Sequence, residues 1–130
     1  MKTSFIILFF LLSGCVLTGT RPDFTYWEAP KNIDKSQEIV IWKNCGDSSY
    51  HMLNKDQQKI LDKGNEFWKE IYKNKDEYSK YEEAFNIYIK YRSQCLYDFG
   101  LRFKPPLHWC LAQDGDHNLK ICIENMKYRN

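Results

Sequence analysis

The sequence predicts a mainly α protein: a small, disulfide-stapled three-helix domain with an irregular N-terminal tether and a C-terminal tail. Apolar residues recur at helical spacing in three stretches of the chain. Five cysteines occur, and four of them lie beyond the first fifteen residues. Pro105-Pro106 forbids helix and separates the last stretch as a tail. The predicted parts are a leader at 1–14, a tether at 15–30 and the helical disulfide-bonded domain at 31–130.

The first fourteen residues have the composition of an export leader. Lys2 supplies a positive start, an apolar centre runs from Phe5 to Leu12, and small residues precede Cys15. This centre is too short for a membrane span, which takes about 20 helical residues to cross about 30 Å of hydrocarbon. The leader therefore predicts export with cleavage between Gly14 and Cys15.

Leu12-Ser13-Gly14-Cys15 resembles the lipobox of bacterial lipoprotein precursors. The resemblance implies that the Cys15 thiol is diacylated, the leader is cut off, and the new amine is acylated. The implied partner is a lipid bilayer, held through acylated Cys15; each buried methylene contributes about 0.8 kcal/mol to such anchoring. Val16, in place of an acidic residue, favours the outer membrane over the inner one. The alternative is an ordinary secretory signal in which Cys15 is incidental.

Size and charge limit what remains after the leader. Removing fourteen of the 130 residues leaves 116, enough for one compact domain. The whole chain has 19 Lys and Arg against 17 Asp and Glu, and Lys2 belongs to the leader. This near balance, without a basic cluster, argues against a nucleic-acid partner.

The tether up to residue 30 has no helical period, and it is expected to become ordered near three aromatic residues. Phe24, Tyr26 and Trp27 fall within four positions. They either pack over the domain's own core or form a binding surface, for a partner or for lipid headgroups. They are the candidate binding surface of the sequence.

Two helices are predicted next. Asp34 or Ser36 caps the first, and Gly46 is expected to end it before a polar loop. Asn54 opens the second, with Gln57 three residues later in a variant of the capping box. The apolar stripe of the second helix is Ile60, Leu61, Gly64, Phe67, Trp68, Ile71 and Tyr72.

The third helix begins near Asp76 and stops at Gly100. Its stripe is rich in tyrosine: Tyr78, Tyr81, Phe85, Tyr88, Ile89, Cys95, Leu96 and Phe99. Such a stripe is typical of the half-buried flank of a core, and the alternative is a wall facing a ligand. In the tail, 107–112 is expected to form a helical turn, whereas 119–126 fits a short helix or a strand.

Export places the remaining thiols in an oxidising space, which favours disulfides. Cys45, Cys95, Cys110 and Cys122 allow three pairings. If three helices run up, down and up, Cys45 and Cys95 lie near the same end of the bundle. Cys110 and Cys122 then close a local loop. Zinc is the competing use, but the spacing around His108 and His117 matches no common zinc motif.

No residue pattern points to catalysis, and neither a catalytic residue nor a metal or cofactor is predicted. His51 follows Asp47, Ser48 and Ser49 too closely in sequence for a catalytic arrangement. Asp114-x-Asp116-x-Asn118 matches the start of a calcium loop. Leu119 and Asn125 stand at its sixth and twelfth positions, where Gly and Glu are required.

A wider resemblance extends over most of the chain after the leader. It rests on Arg21-Pro22-x-Phe24-x-Tyr26-Trp27, on Trp42-x-x-Cys45-Gly46, and on Cys95 followed by Gly100 and Phe103. In outline the chain is similar to small uncharacterised Gram-negative outer-membrane lipoproteins. This resemblance implies a location in the cell envelope and no activity.

Two functions are therefore expected as alternatives. The first is a lipid-anchored module that binds or blocks a protein partner through exposed aromatic residues. The second is a structural accessory subunit of an envelope assembly. Neither is an enzyme.

Overall fold

The computed structural model describes residues 26–112 and 118–130, and this part of the chain is mainly α, as predicted. The leader, Cys15 and Phe24 lie outside the described residues. The described helices are α1 (Lys35–His51), α2 (Lys55–Glu66), α3 (Trp68–Lys73), α4 (Lys75–Asp98), α5 (Leu107–Cys110) and α6 (Asn118–Glu124). Two short strands, β1 (Trp27–Glu28) and β2 (Arg102–Phe103), and a 3₁₀ turn at Met126–Tyr128 complete these elements.

The start of α1 is set by the predicted cap, but its predicted end is wrong. The Asp34 side chain accepts a hydrogen bond from the Gln37 N–H, and the Gln37 side chain accepts one from the Asp34 N–H. The helix then continues through Gly46 to His51. In the turn after Gly46, Ser49 is buried and its hydroxyl donates to the Cys45 carbonyl at 2.6 Å. Packing therefore outweighs the helix-ending tendency of glycine.

The predicted second helix is two helices. Asn54 and Gln57 form a reciprocal capping box at the start of α2, as predicted. The helix ends at Phe67, whose φ of −126° and ψ of 44° are not helical, and α3 starts at the next residue. This break changes which side of the segment faces inward, so Ile71 is fully buried while Trp68 is exposed.

The long helix α4 is the central element of the described fold. Asn74 caps its start, and Gly100 follows its end with a φ of +92°, a left-handed conformation that favours glycine. The helix contacts α1, α2 and α3. The predicted end of the third helix at Gly100 is confirmed.

The predicted disulfides are both present. Cys45 on α1 is joined to Cys95 on α4, with a Cα–Cα distance of 5.6 Å. Cys110 and Cys122 join α5 to α6 at 5.8 Å. The first disulfide was predicted on the premise that Cys45 and Cys95 both lie near the ends of their helices. This premise was only partly right, because Cys45 lies six residues before the end of α1.

The boundary between tether and domain lies earlier than residue 31. β1 pairs antiparallel with β2, in a register that places Trp27 opposite Phe103 and Glu28 opposite Arg102. Trp27 is part of the core and only 4% exposed. A two-residue strand is too short to show alternation in sequence, which is why β1 and β2 were not predicted.

The main core lies where the β1–β2 strand pair, α1, the end of α4 and the C-terminal segment meet. Its members are Trp27, Ile41, Cys45, Leu96, Leu101, Phe103, Trp109, Cys110, Cys122 and Tyr128. Residues 119–126 were expected to form either a short helix or a strand, and the structure has the helix α6 there. Further buried side chains lie on the loop after α1 and on α2, α3 and α4: Leu53, Leu61, Ile71 and Ala84.

Candidate functional site

Trp27, one of the three residues predicted to form a binding surface, is buried. Its ring packs at centroid distances of 5.4 Å from Phe103 and 5.8 Å from Tyr128, inside the core. Tyr26 is half-buried and packs on Trp109 at 4.8 Å. The prediction of a binding surface is therefore wrong for Trp27, and the alternative, that these rings cover the domain's own core, describes both residues. Phe24 lies outside the described residues, as do Gly14 and Cys15.

The histidines do not form a shared site in the described part of the chain. His51 is exposed at the end of α1, beside the Tyr50 ring, and His108 is exposed on α5. His117, Asp114 and Asp116 lie outside the described residues. Within 26–112 and 118–130, no group of three or more His, Cys, Asp or Glu residues is placed to hold a metal ion.

Outside the main core, a cluster of five contacting rings lies on α3 and the first half of α4, and we call it the aromatic face. It consists of Trp68, Tyr72, Tyr78, Tyr81 and Phe85. The Trp68 ring lies 5.5 Å from Tyr81 and 5.8 Å from Tyr78, and the Tyr72 ring lies 5.6 Å from Tyr78. Tyr81 and Phe85 are stacked at 5.8 Å. Trp68, Tyr72 and Phe85 are exposed, with Tyr72 at 65%.

Two features of the helices hold the aromatic face in place. Gly64 on α2 lies directly under the Tyr81 ring, where any Cβ would overlap ring atoms. Lys63 Nζ lies 2.6 Å from Glu77 Oε1, an ion pair that joins α2 to α4. Together with the buried Ile71 of α3, these contacts fix α2, α3 and α4 against one another. The rings are consequently presented on a rigid support.

Two tyrosines of the aromatic face, Tyr78 and Tyr81, have a raised pKa and keep their hydroxyl protons at neutral pH. Burial raises the pKa of Tyr78, and its hydrogen bond to Glu82 raises that pKa further. Burial also raises the pKa of Tyr81. A protonated phenol both donates and accepts hydrogen bonds. The face can therefore offer apolar area together with polar groups, a combination that is enriched in protein interfaces.

This site was not predicted as a binding surface. The stripe of the second helix was assigned to the core, and the stripe of the third helix to the half-buried flank of a core, with a wall facing a ligand as the alternative. Phe67, Trp68 and Tyr72 were placed on the buried stripe of one continuous helix, yet all three are exposed. The usable signal was the density of rings around the break at Asn74.

No helix in the described residues is both long enough and apolar enough to cross a membrane. No protein-family model, curated protein or solved structure matches this chain. The resemblance to small outer-membrane lipoproteins therefore stays a prediction, and so does the absence of enzymatic activity.

Proposed function

We propose that this protein is a lipid-anchored lipoprotein of the cell envelope whose domain binds a protein partner through the aromatic face. The proposal of a protein partner rests on one observation: Trp68, Tyr72 and Phe85 are exposed and belong to one cluster of contacting rings. The lipobox-like segment ending at Cys15 supports the anchor. The bilayer and one protein are the partners of this proposal, and the outer membrane is its location.

The composition of the aromatic face favours a protein ligand. Tyrosine and tryptophan give large contact areas at a small cost in conformational entropy, and they are enriched among residues that dominate binding energy. The rings already contact one another in the free domain, so little ordering is needed on binding. The complementary surface offers apolar side chains to Trp68 and hydrogen-bonding groups to the tyrosine hydroxyls.

The anchor is tested on protein purified from its own host. Intact-mass spectrometry should show a chain that begins at Cys15 and carries acyl mass, with four cysteine hydrogens missing because of two disulfides. Cys15→Ser should leave a folded domain that a high-salt wash removes from membranes. An unmodified Cys15, or a Cys15→Ser protein that stays in washed membranes, contradicts the anchor.

The partner surface is tested by photo-crosslinking in intact cells. A benzophenone amino acid at Tyr72 should give a discrete protein adduct, and the same group at Ile39 on α1, 61% exposed, should not. Adding Trp68→Ala should remove the adduct while the domain still melts cooperatively. Equal adducts from Tyr72 and Ile39 contradict the proposal. An adduct with an abundant envelope complex would instead identify the protein as a structural accessory subunit.

A further inference from the structure

A second group of exposed apolar side chains lies on α5, on α6 and on the residues directly after these helices, apart from the aromatic face. We call it the α5–α6 face. It consists of Leu107, Leu111, Leu119, Ile123 and Met126. Leu107 is 72% exposed and Ile123 is 65% exposed, values that are unusual for aliphatic side chains in a folded domain. Exposed apolar side chains in this number are typical of a surface that contacts a partner or a membrane.

The outward position of these side chains is fixed by the rest of the fold. On α6, Asn118 and Cys122 form the buried side, and Cys122 is covalently held to Cys110 of α5. Leu119 and Ile123 each follow one of those buried residues by one position. They therefore lie about 100° around the helix from the buried side, and Met126 follows in the 3₁₀ turn after α6.

The N-terminal chain enters the domain beside this face. The Tyr26 ring packs on Trp109 of α5 at 4.8 Å, and the Lys104 N–H donates to the Tyr26 carbonyl at 2.8 Å. Tyr26 lies eleven positions after Cys15. A chain of that length reaches at most about 40 Å. Acyl chains on Cys15 would hold α5 and α6 within that distance of the bilayer.

Charge along the same segment suits a bilayer with anionic headgroups. Lys120, Lys127 and Arg129 outnumber Glu124 between residues 118 and 130. Lys120 lies 3.9 Å from Glu124, an exposed pair that contributes little. Helices that lie in the membrane interface combine an apolar face with basic residues in this way.

We propose that the α5–α6 face rests on the lipid bilayer that holds acylated Cys15. This inference depends on the lipid anchor of the proposed function. It orients the domain, because the two surfaces lie at different ends of α4: Tyr81 belongs to the aromatic face, and Tyr97 packs on Tyr128, 5.3 Å away, beside α6. Sixteen helical residues separate Tyr81 from Tyr97, which is about 24 Å along the axis. The aromatic face consequently lies towards the other end of α4 from the segment that would rest on the membrane.

The test uses the full lipidated protein in vesicles of phosphatidylethanolamine and phosphatidylglycerol. A benzophenone amino acid replaces Ile123 in one protein and Tyr72 in a matched control, two positions that are each 65% exposed. Phospholipid adducts should be at least about tenfold more abundant from position 123, because an interfacial helix buries its apolar face about 5–10 Å deep. Substitution at Leu119 provides a second site should the first variant not fold.

The outcomes separate this inference from the proposed function. Equal lipid adducts from positions 123 and 72, or adducts between position 123 and a second copy or another protein, overturn it. The mass of the same sample reports acylation of Cys15. An acylated protein without lipid adducts from position 123 overturns only the orientation, whereas an unacylated Cys15 overturns the anchor as well.

Discussion

Gly64 gives the sharpest test of how α2 and α4 pack. Replacing an interior helical glycine by alanine normally stabilises a helix by about 1 kcal/mol. At Gly64 the added Cβ would overlap Cδ2 and Cε2 of Tyr81. The ring cannot move without disturbing Trp68, 5.5 Å away, and Phe85, 5.8 Å away. Gly64→Ala is therefore expected to destabilise the domain.

The two opposing effects can be compared in size. Inserting a methyl group into a packed site costs about 1–3 kcal/mol. Each aromatic pair is worth about 0.5–1.5 kcal/mol, part of which is lost when the Tyr81 ring shifts. Subtracting the helix gain of about 1 kcal/mol leaves a net loss of about 1–2 kcal/mol. In a domain of this size, that loss lowers Tm by roughly 5–15 °C.

Chemical denaturation and thermal melting of Gly64→Ala measure this loss, and Gly46→Ala is the matched control. A Cβ at Gly46 would lie 3.3 Å from the Tyr88 hydroxyl oxygen, the far end of a flexible side chain. The free energy of unfolding of Gly46→Ala should stay unchanged or rise by up to about 1 kcal/mol.

The same substitution in a Tyr81→Ala protein shows whether the Tyr81 ring causes the loss of stability. Once Tyr81→Ala has removed the ring, Gly64→Ala should stabilise the protein by about 1 kcal/mol, so the sign of its effect reverses. Stabilisation of the wild-type chain by Gly64→Ala, or an equal loss in both backgrounds, would refute the overlap with Tyr81.

Three further predictions concern the crosslinks, a helix cap and the core. Replacing Cys45 and Cys95 by serine opens a loop closed across 50 residues and should lower the free energy of unfolding by about 4 kcal/mol, measured by denaturant titration; an unchanged midpoint contradicts it. Hydrogen bonds from the Ser36 hydroxyl and from backbone N–H groups hold the pKa of Asp34 below its ordinary value. The stabilisation from ionised Asp34 is thus present above its unfolded pKa and disappears as the pH falls through the folded pKa. Between about pH 5 and about pH 2, the melting temperature of Asp34→Asn should therefore fall less than that of the wild type. Equal falls in the two proteins would count against this. Tyr128→Ala should cost about 3–5 kcal/mol, because the ring is 3% exposed, and an effect below about 1 kcal/mol in the same titration would show that the C-terminal turn is dispensable.

The helix boundaries that local chemistry determines were predictable. The caps at Asp34 and Asn54 act within four residues, and the left-handed Gly100 ends α4 by its own backbone preference. Each signal depends on neighbours in sequence, so it can be read without knowing the fold. The two disulfides were predicted in another way, from the number of cysteines and the assumed order of the helices.

The features that failed depend on distant contacts. Gly46 stays helical although glycine often ends helices, and Ser49 in the next turn is buried. The helix breaks at Phe67, although neither Phe67 nor its direct neighbours are proline or glycine. Trp27 is buried by pairing with Phe103, a residue 76 positions away. The aromatic face was missed for the same reason: periodicity finds a stripe but does not say which of two stripes is covered.

The bridge between α1 and α4 also makes a covalent ring of residues 45–95, and the aromatic face lies wholly inside it. Force applied at Tyr72 is therefore shared by two branches of backbone, one towards Cys45 and one towards Cys95. A single proteolytic cut anywhere in that ring leaves both pieces attached to the rest of the molecule. The surface proposed for recognition is thus also the part of the chain that one nick cannot release.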